Sequence, residues 1–353
     1  MKLAIIGYPQ SGKSTVFNAL TQRDDPLSVS GTRVEVHSAM VDVPDERMLA
    51  LADLFQSKKI VHAQIALADV AGFGGGSSGD ALSGQLLNAL SGLDGLIIVL
   101  RAFEDESVAH LKGSIDPERD LSNLLEDFML NDLITVERKI ERLSEERQKA
   151  GRDMAAVERE KVFFARLQDG LNEGKPLREQ QISEEEFKLL GGLGFLTQKA
   201  VLAILNTGEG EQVDAKEFQG IPALGLQGKL EMELAQMPED EAAEFQAEYG
   251  LEESARRRII RAAYEMLDTQ TFYTVGEPEA HAWMLKRNSN ALKAADTIHS
   301  DIARGFIRAE VVAADELLEL GGMSQARDKG RLRLEGKEYV MQDGDIINVR
   351  FNV

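Results

Sequence analysis

The hydrophobic pattern of the first 205 residues alternates between short apolar runs and amphipathic stretches. Apolar, β-prone runs occur at residues 2–6, 65–70, 93–100 and 200–205, and a helical pattern begins near Lys13. Short apolar runs of this kind predict buried strands of a parallel sheet. Because helical stretches separate them, the pattern predicts a doubly wound α/β domain.

Between the third and fourth runs the pattern changes to that of long amphipathic helices. Apolar residues recur there at alternating spacings of four and three, which is a heptad seam formed by Met129, Leu133, Val136, Ile140 and Leu143. A turn at residues 150–153, followed by Met154, Val157 and Phe164, predicts a returning helix. We therefore expect a coiled-coil hairpin inserted into the α/β domain. Two ordinary helices packed on the core are the alternative.

The C-terminal quarter has a third pattern, with short strands and tight turns after a helix predicted at residues 252–267. The Asp343-Gly344 step favours a turn before a last strand at residues 346–351. These changes divide the chain into an α/β domain (1–119 and 199–270), a helical insert (120–198) and a C-terminal domain (271–353).

Composition narrows the class of protein. The 353 residues carry a formal net charge of −20, which repels polyanions in general, although residues 277–353 are nearly neutral, with 11 basic and 13 acidic side chains. There are no cysteines, and no apolar run is long enough to span a membrane. We expect no membrane contact and a cytoplasmic location, and we interpret the apolar N-terminus as a buried first strand.

Residues 7–15 read GYPQSGKST, which matches the phosphate-binding loop pattern G-x-x-x-x-G-K-[ST]. Its glycines let several backbone N–H groups point at phosphates, and the helix that follows adds its dipole. Lys13 is predicted to reach the β- and γ-phosphates, and Ser14 to bind Mg²⁺. The alternative is a glycine turn with an exposed lysine. The remaining predicted nucleotide contacts of the loop are Tyr8, Pro9, Gln10, Ser11, Gly12 and Thr15.

A second phosphate-related pattern, Asp69-Val70-Ala71-Gly72, ends the second apolar run. Asp69 is predicted to hold Mg²⁺ through water, and the Gly72 N–H to sense the γ-phosphate during catalysis. A helix N-cap at Asp69 is the plainer alternative. Four further glycines between residues 74 and 79 suggest a nucleotide-dependent switch loop.

The fourth run ends at Asn206, and Glu209 follows three residues later. GTP-selective proteins of this class carry Asn-Lys-x-Asp at this place, where the Asp binds guanine. Because this chain has Glu209 and no lysine, tight selection of guanine is not expected. Gln227 and Gly228 are predicted to form the other wall of the base pocket.

The sequence resembles the YchF and Obg-like ATPases over nearly its whole length. The resemblance lies in the P-loop, in NTGE at residue 206, and in the stretches VDVPDERMLAL, KKIVHAQIALADVAG, EGKPLRE, LEESARRRIIRAAYEML, TIHSDIARGFIRAEV and LRLEGKEYVMQDGDIINVRFNV. It implies a G domain, a coiled-coil arm and a C-terminal TGS domain, which is a ubiquitin-like β-grasp module. It also implies hydrolysis of ATP at least as well as GTP, with Mg²⁺, and association with ribosomes or ribosomal RNA.

The same resemblance implies slow hydrolysis, because the position of the catalytic glutamine of Ras-like proteins is Phe73 here. Two departures from the family pattern matter. Gln10 replaces an asparagine associated with potassium-assisted hydrolysis, so the role of K⁺ stays open. In the first switch segment Arg33 stands where a threonine is usual. Either the loop shifts so that Thr32 binds Mg²⁺, or the switch works differently. A role for Arg33 in stabilising charge near the γ-phosphate is a further alternative, and an exposed arginine is the plainer one.

The leading hypothesis is a slow, Mg²⁺-dependent nucleoside triphosphate hydrolase that acts as a conformational switch on the ribosome. The alternative is a nucleotide-binding module with little turnover that recognises RNA or protein through its C-terminal domain and helical arm. A small-molecule kinase also uses a P-loop, but the Asp69–Gly72 pattern and the C-terminal domain argue against it. The oligomeric state stays open.

Overall fold

The described part of the chain forms two compact units in a computed structural model. The structure describes residues 1–23, 36–70, 82–105, 113–146, 153–211, 217–238, 241–242, 244–245 and 253–352. One unit contains Met1–Ala39 and Ala66–Arg256, and the other contains Met40–Ile65 and Arg257–Val353. None of the helices in these ranges is long and apolar enough to cross a membrane.

The first unit is built on a mostly parallel sheet, as the apolar runs predict. Its strands are β1 (Lys2–Ile6), β2 (Val36–Asp42), β4 (Gln64–Val70), β5 (Gly95–Ala102), β6 (Ala200–Thr207), β7 (Glu217–Phe218) and β8 (Ile221–Leu226). Their order is β2-β4-β1-β5-β6-β8-β7. Strand β1 pairs in parallel with both β4 and β5, and the four predicted strands are confirmed as β1, β4, β5 and β6. The carboxyl ends of these strands therefore share one edge.

The helices of this unit are α1 (Lys13–Thr21), α3 (Gly84–Ser91), α4 (Pro117–Glu146), α5 (Met154–Asn172), α6 (Glu184–Phe187) and α7 (Gly228–Gln236). Short 3-10 turns lie at Leu177–Glu179 and Lys188–Leu190. Leu86 and Leu90 of α3 and Leu121, Leu124 and Phe128 of α4 are buried against the strands in one apolar cluster. This burial is what holds those helices on the sheet.

Helices α4 and α5 form the predicted hairpin. All five positions of the heptad seam lie in one apolar cluster with Val157 and Phe164 of α5, so the seam is confirmed. Met154 begins this returning helix, and 44% of it is exposed. Of the predicted turn, residues 150–152 lie outside the described residues.

One buried carboxylate ties the hairpin to the strand that follows it. Asp132 of α4 accepts hydrogen bonds from the backbone N–H groups of Leu196 (3.0 Å) and Thr197 (2.7 Å) and from the Thr197 hydroxyl (2.7 Å). Burial raises the pKa of Asp132, while these hydrogen bonds oppose the rise. The chain is thereby fixed a few residues before β6 begins.

The second unit contains a six-stranded sheet. Its strands are β3 (Ile60–Val61), β9 (Thr269–Val275), β10 (Ala280–Lys286), β11 (Phe306–Ala313), β12 (Arg333–Glu335) and β13 (Asp345–Phe351), in the order β12-β11-β13-β9-β10-β3. β9 and β10 are an antiparallel hairpin, and the last strand β13 runs parallel to β9 in the middle of the sheet. This arrangement of strands is the predicted β-grasp fold.

The helices assigned to this unit are α2 (Glu46–Leu54), α8 (Ala255–Met266), α9 (Ala291–Ile298), α10 (Ser300–Arg304), α11 (Ala314–Leu320) and α12 (Met323–Asp328). Helix α8 begins two residues before this unit does. Ala291, Ala294 and Ala295 of α9 pack with Phe272 of β9 and Val311 of β11 in its apolar core. Small alanine side chains let this helix approach the sheet closely.

Residues 40–65 pack with the C-terminal part of the chain, although the sequence analysis assigned them to the α/β domain. Arg47 binds Asp343 with 2.9 Å between Nη1 and Oδ2, and the Tyr273 hydroxyl donates to Asp45. Gly344 has a φ angle of 87°, which favours glycine at the predicted turn, and a Cβ there would lie 2.8 Å from Arg47 Nη1. The domain boundary at residue 271 remains a prediction.

Candidate nucleotide site

The loop between β1 and α1 has the backbone conformation that its glycines predict. Gly7, Gln10 and Gly12 have φ angles of 154°, 66° and 87°, so the chain curls tightly before α1 begins at Lys13. The N-cap residue of α1 is Gly12, which has no side chain to cap the helix. The first backbone N–H groups and the dipole of α1 would thus favour an anion in the loop.

Two glycines of this loop are required by their surroundings as well as by their φ angles. A Cβ at Gly7 would overlap the Val99 carbonyl oxygen of β5 and would lie 2.9 Å from Ser11 Oγ. A Cβ at Gly12 would overlap the side-chain amide of Asn206. The loop is therefore packed directly on the ends of β5 and β6.

Lys13 lies over the loop. Its ammonium group donates a hydrogen bond to the Tyr8 carbonyl oxygen at 2.9 Å. Burial lowers the pKa of Lys13 to about 8, and the nearby Asp69 carboxylate opposes this shift. A phosphate group bound in the loop would favour the protonated lysine, because an opposite charge stabilises the charged form.

Ser14 and Asp69 meet although 55 residues separate them in the sequence. The Ser14 hydroxyl donates to Asp69 Oδ2 at 2.8 Å, and Asp69 is only 2% exposed. Asp69 lies beside Ile5 in the parallel register of β4 and β1, which places it next to the start of the phosphate loop. This hydroxyl and carboxylate are the oxygen donors that Mg²⁺ takes. The predicted site residues Thr32 and Gly72, with Arg33 and Phe73, lie outside the described residues.

Asn206 joins two loops at the end of β6. Its Nδ2 donates to the Ser11 carbonyl oxygen at 3.0 Å, and its Oδ1 accepts from the Gly228 N–H at 3.1 Å. Asn206 is 4% exposed. The side chain that the sequence singled out for base recognition thus fixes the phosphate loop against the loop after β8.

Glu209 and Gln227 lie on the same side of the site. The Gln227 side chain accepts a hydrogen bond from the Gly210 N–H at 2.9 Å, so the loops after β6 and β8 are joined. Glu209 is an exposed residue of the first of these loops. The structure therefore brings together four predicted base-site residues, which are Asn206, Glu209, Gln227 and Gly228.

The other predicted loop residues differ in their exposure. Gln10 is exposed, and Tyr8 packs against the apolar cluster under the sheet. Burial, with smaller contributions from Asp127 and Asp120, raises the pKa of Tyr8 to about 12. Pro9 and Thr15 are half-buried, and the buried Ser11 hydroxyl has no hydrogen-bond partner among the described residues.

Sequence reasoning missed Phe103, which follows β5. The Arg101 guanidinium lies 4.7 Å from the centre of the Phe103 ring, and Arg101 Nε donates to the Phe103 carbonyl oxygen at 3.2 Å. Phe103 side-chain atoms lie 3.9 Å from the positions that a Cβ would occupy at Gly12 and at Gly208. The position of Phe103 directly after a parallel strand could have indicated a place near the phosphate loop, because ligands bind at the carboxyl ends of such strands.

Two family models match the chain. One, described as a 50S ribosome-binding GTPase, matches residues 2–139. The other, YchF-GTPase_C, is described as a protein of unknown function (DUF933) and matches residues 269–352.

Similar proteins extend over the whole chain. The ribosome-binding ATPase YchF of Bacillus subtilis (strain 168) is 36% identical over 363 residues, which span 99% of this chain and 98% of that protein. Obg-like ATPase 1 of Oryza sativa subsp. japonica is 35% identical and covers 100% of this chain and 92% of its own length. The solved YchF GTPase of Schizosaccharomyces pombe superposes with a TM-score of 0.84 at 26% identity, covering 99% of this chain and 97% of its own.

Proposed function

The chain belongs to the family of YchF and Obg-like ATPases, and we propose that it is a slow nucleoside triphosphate hydrolase that acts as a switch on the ribosome. The observation that carries this proposal is the phosphate loop, with Lys13 over it and Ser14 bound to Asp69. We include the ribosome in the proposal because similar proteins from bacteria are named ribosome-binding ATPases. We assign the protein to the cytoplasm on the same ground.

In this proposal the loop amides and Lys13 hold the phosphates and stabilise the negative charge that develops as the terminal phosphate leaves. Ser14 and Asp69 would hold Mg²⁺, with Thr32 as a further ligand, and the bound ion would neutralise charge on the phosphate oxygens. The Gly72 N–H would respond to the γ-phosphate. Turnover is slow because Phe73 has no polar atom to orient water.

The base pocket in this proposal is formed by the loops after β6 and β8. The side chains of Asn206 and Gln227 form hydrogen bonds with the protein backbone. The exposed Glu209 stands in place of the aspartate that selects guanine. We therefore propose that ATP binds at least as well as GTP. In the same family scheme, residues 271–353 are the TGS domain and residues 120–198 the coiled-coil arm.

Phosphate release from ATP with Mg²⁺ tests the proposed activity. We expect Lys13→Ala to reduce turnover by about 100-fold or more, because loss of one donor to a developing oxyanion costs about that much. Lys188→Ala is the matched control, since it removes an equal charge from an exposed residue of the insert. Unchanged turnover in Lys13→Ala would contradict the assignment.

The binding-module alternative predicts a different result in the same assay. In that case the wild-type protein binds nucleotide tightly but releases no phosphate, even when ribosomes are added. The observation in its favour is Arg33 in place of the usual threonine, which alters the first switch segment.

A further inference from the structure

One face of the β-grasp sheet places two arginines side by side. Strands β11 and β13 are antiparallel, with Arg308 directly opposite Arg350 and Glu310 directly opposite Asn348. Residues that are directly opposite lie on the same face of a sheet, with their Cβ atoms about 4.5–5.5 Å apart. We call Arg308, Glu310, Arg327, Asn348 and Arg350 the arginine face.

Positive charge exceeds negative charge on the arginine face. Glu310, almost buried at the centre, binds Arg350 Nη2 at 2.6 Å and lies 3.7 Å from Arg327 Nη2. Its second oxygen accepts from Asn348 at 3.2 Å. The Arg308 side chain makes no hydrogen bond or ion pair with any residue that the structure describes. The face thus carries three arginines and one carboxylate, and Glu310 has its partners without Arg308.

The position of Arg308 is unfavourable for the fold alone. Like charges directly opposite on neighbouring strands destabilise a sheet. The Arg308 guanidinium extends past β12, where a Cβ at Gly336 would lie 3.7 Å from Nη1. Arg308, Arg327 and Arg350 are all exposed, so each guanidinium is accessible to a ligand. An anion bound between Arg308 and Arg350 would replace their repulsion with two attractions.

Exposed apolar side chains lie next to these charges. Ile307, at the irregularity that precedes Arg308, and Leu334, which is directly opposite Glu310, are each 57% exposed. Exposed aliphatic residues beside arginines offer surface to a ligand that has both anionic and less polar parts. A nucleic acid backbone, with its phosphates and sugars, is such a ligand.

We propose that the arginine face binds the phosphate backbone of RNA. This inference rests on the proposed function, since it assigns the part of the ribosome that this unit would contact. The chain as a whole has a net charge of −20 and repels RNA. A local excess of arginine therefore restricts where RNA approaches. Arginine also suits phosphate, because its planar fork donates two hydrogen bonds to the phosphate oxygens.

The test measures binding of the full-length protein to ribosomal RNA stripped of protein, over a series of salt concentrations. Arg308→Gln removes the arginine of the face whose side chain has no hydrogen-bond or ion-pair partner among the described residues. We expect affinity to fall about 3- to 10-fold and the slope of log K against log[salt] to fall by about one, as for one lost phosphate contact. Lys2→Gln, at the exposed start of β1 in the first unit, is the control for charge and is expected to bind as the wild type does.

Thermal unfolding of Arg308→Gln separates a binding role from a structural one. We expect its unfolding temperature to be equal to or above that of the wild type, because a like-charge pair is removed. A fall in both the affinity for RNA and the unfolding temperature would mean that Arg308 supports the fold, and would overturn the proposal. An unchanged affinity and salt slope would overturn it as well.

Two further measurements distinguish this inference from the proposed function. Polyglutamate is the probe for an acidic protein partner, and stronger binding of polyglutamate than of RNA would overturn the RNA assignment. Sedimentation with whole ribosomes tests the proposed function itself. Failure of the wild type to sediment contradicts ribosome association. Equal sedimentation of the wild type and Arg308→Gln contradicts only the arginine face.

Discussion

The phosphate loop and the arginine face are both suited to phosphate, but they are built in different ways. The loop uses consecutive residues, with backbone N–H groups, positive φ angles at Gly7 and Gly12, and one lysine. The arginine face uses side chains from β11, α12 and β13. The phosphate loop can therefore be recognised from nine consecutive residues. The arginine face forms only when strands β11 and β13 pair in the folded sheet.

Electrostatics differ between the two sites as well. Burial lowers the pKa of Lys13 to about 8, so its charge depends on what is bound next to it. The guanidinium groups of the arginine face are exposed to solvent. Near pH 8 and above, a phosphate bound beside Lys13 would therefore favour uptake of a proton, while the arginine face offers a charge that salt screens.

The largest effect in this comparison is expected from Asp69, and it tests whether Mg²⁺ acts at the phosphate loop. Asp69→Asn keeps the hydrogen bond with Ser14 possible but removes the negative charge. We expect the Mg²⁺ concentration needed for half-maximal ATP binding to rise by about 10- to 100-fold, as when a group supporting a metal is lost. Calorimetric titrations of ATP at several Mg²⁺ concentrations measure this.

Asp53→Asn, at an exposed position of α2, is the control and is expected to leave Mg²⁺ dependence unchanged. Without nucleotide, RNA binding by Asp69→Asn should equal that of the wild type, because the substitution changes no residue of the arginine face. A loss of RNA affinity in nucleotide-free Asp69→Asn would show that the two sites do not bind separately.

A smaller effect is expected from the residue that fixes the loop. Asn206→Ala removes the hydrogen bonds to the Ser11 carbonyl and the Gly228 N–H. Leaving buried backbone groups without partners costs about 1–2 kcal/mol, or roughly 5- to 30-fold in ATP affinity. Asn88→Ala, at an exposed position of α3, is the control. Equal ATP affinity of Asn206→Ala and wild type would show that the loop holds its shape without Asn206.

The smallest expected effect is the change of ATP affinity with each unit of pH. Because the pKa of Lys13 without nucleotide is lowered to about 8, the lysine is protonated below that pH and neutral above it. ATP affinity should therefore decrease between pH 7.5 and 9.5, by at most about tenfold per pH unit. Lys13→Arg should bind ATP with no such decrease, since arginine stays protonated. A wild-type affinity that is constant over this range would contradict the lowered pKa.

The sequence predicted those parts of the fold and site that depend on neighbouring residues. The strands β1, β4, β5 and β6, the phosphate loop and the seam from Met129 to Leu143 are local patterns, and the structure has them. Asp69 could be placed near the loop because the carboxyl ends of parallel strands meet at one edge.

Contacts between distant segments could not be predicted in this way. Arg47 and Asp343 are 296 residues apart, and no local pattern tells that residues 40–65 pack with the C-terminal strands. Phe103 follows a predicted strand, but only the observed packing shows that it faces Gly12 and Gly208. The pairing of Arg308 with Arg350 likewise depends on strand register, which the sequence does not reveal.

The most direct test of the proposed nucleotide site is calorimetric titration of the wild-type protein in Mg²⁺. ATP and GTP are each titrated with and without K⁺. We predict that both nucleotides bind and that ATP binds at least as tightly as GTP. The titrations without K⁺ show whether Gln10 supports the potassium dependence associated with asparagine. Failure of both nucleotides to bind, or tighter binding of GTP by tenfold, about 1.4 kcal/mol, would contradict a phosphate site with relaxed base choice.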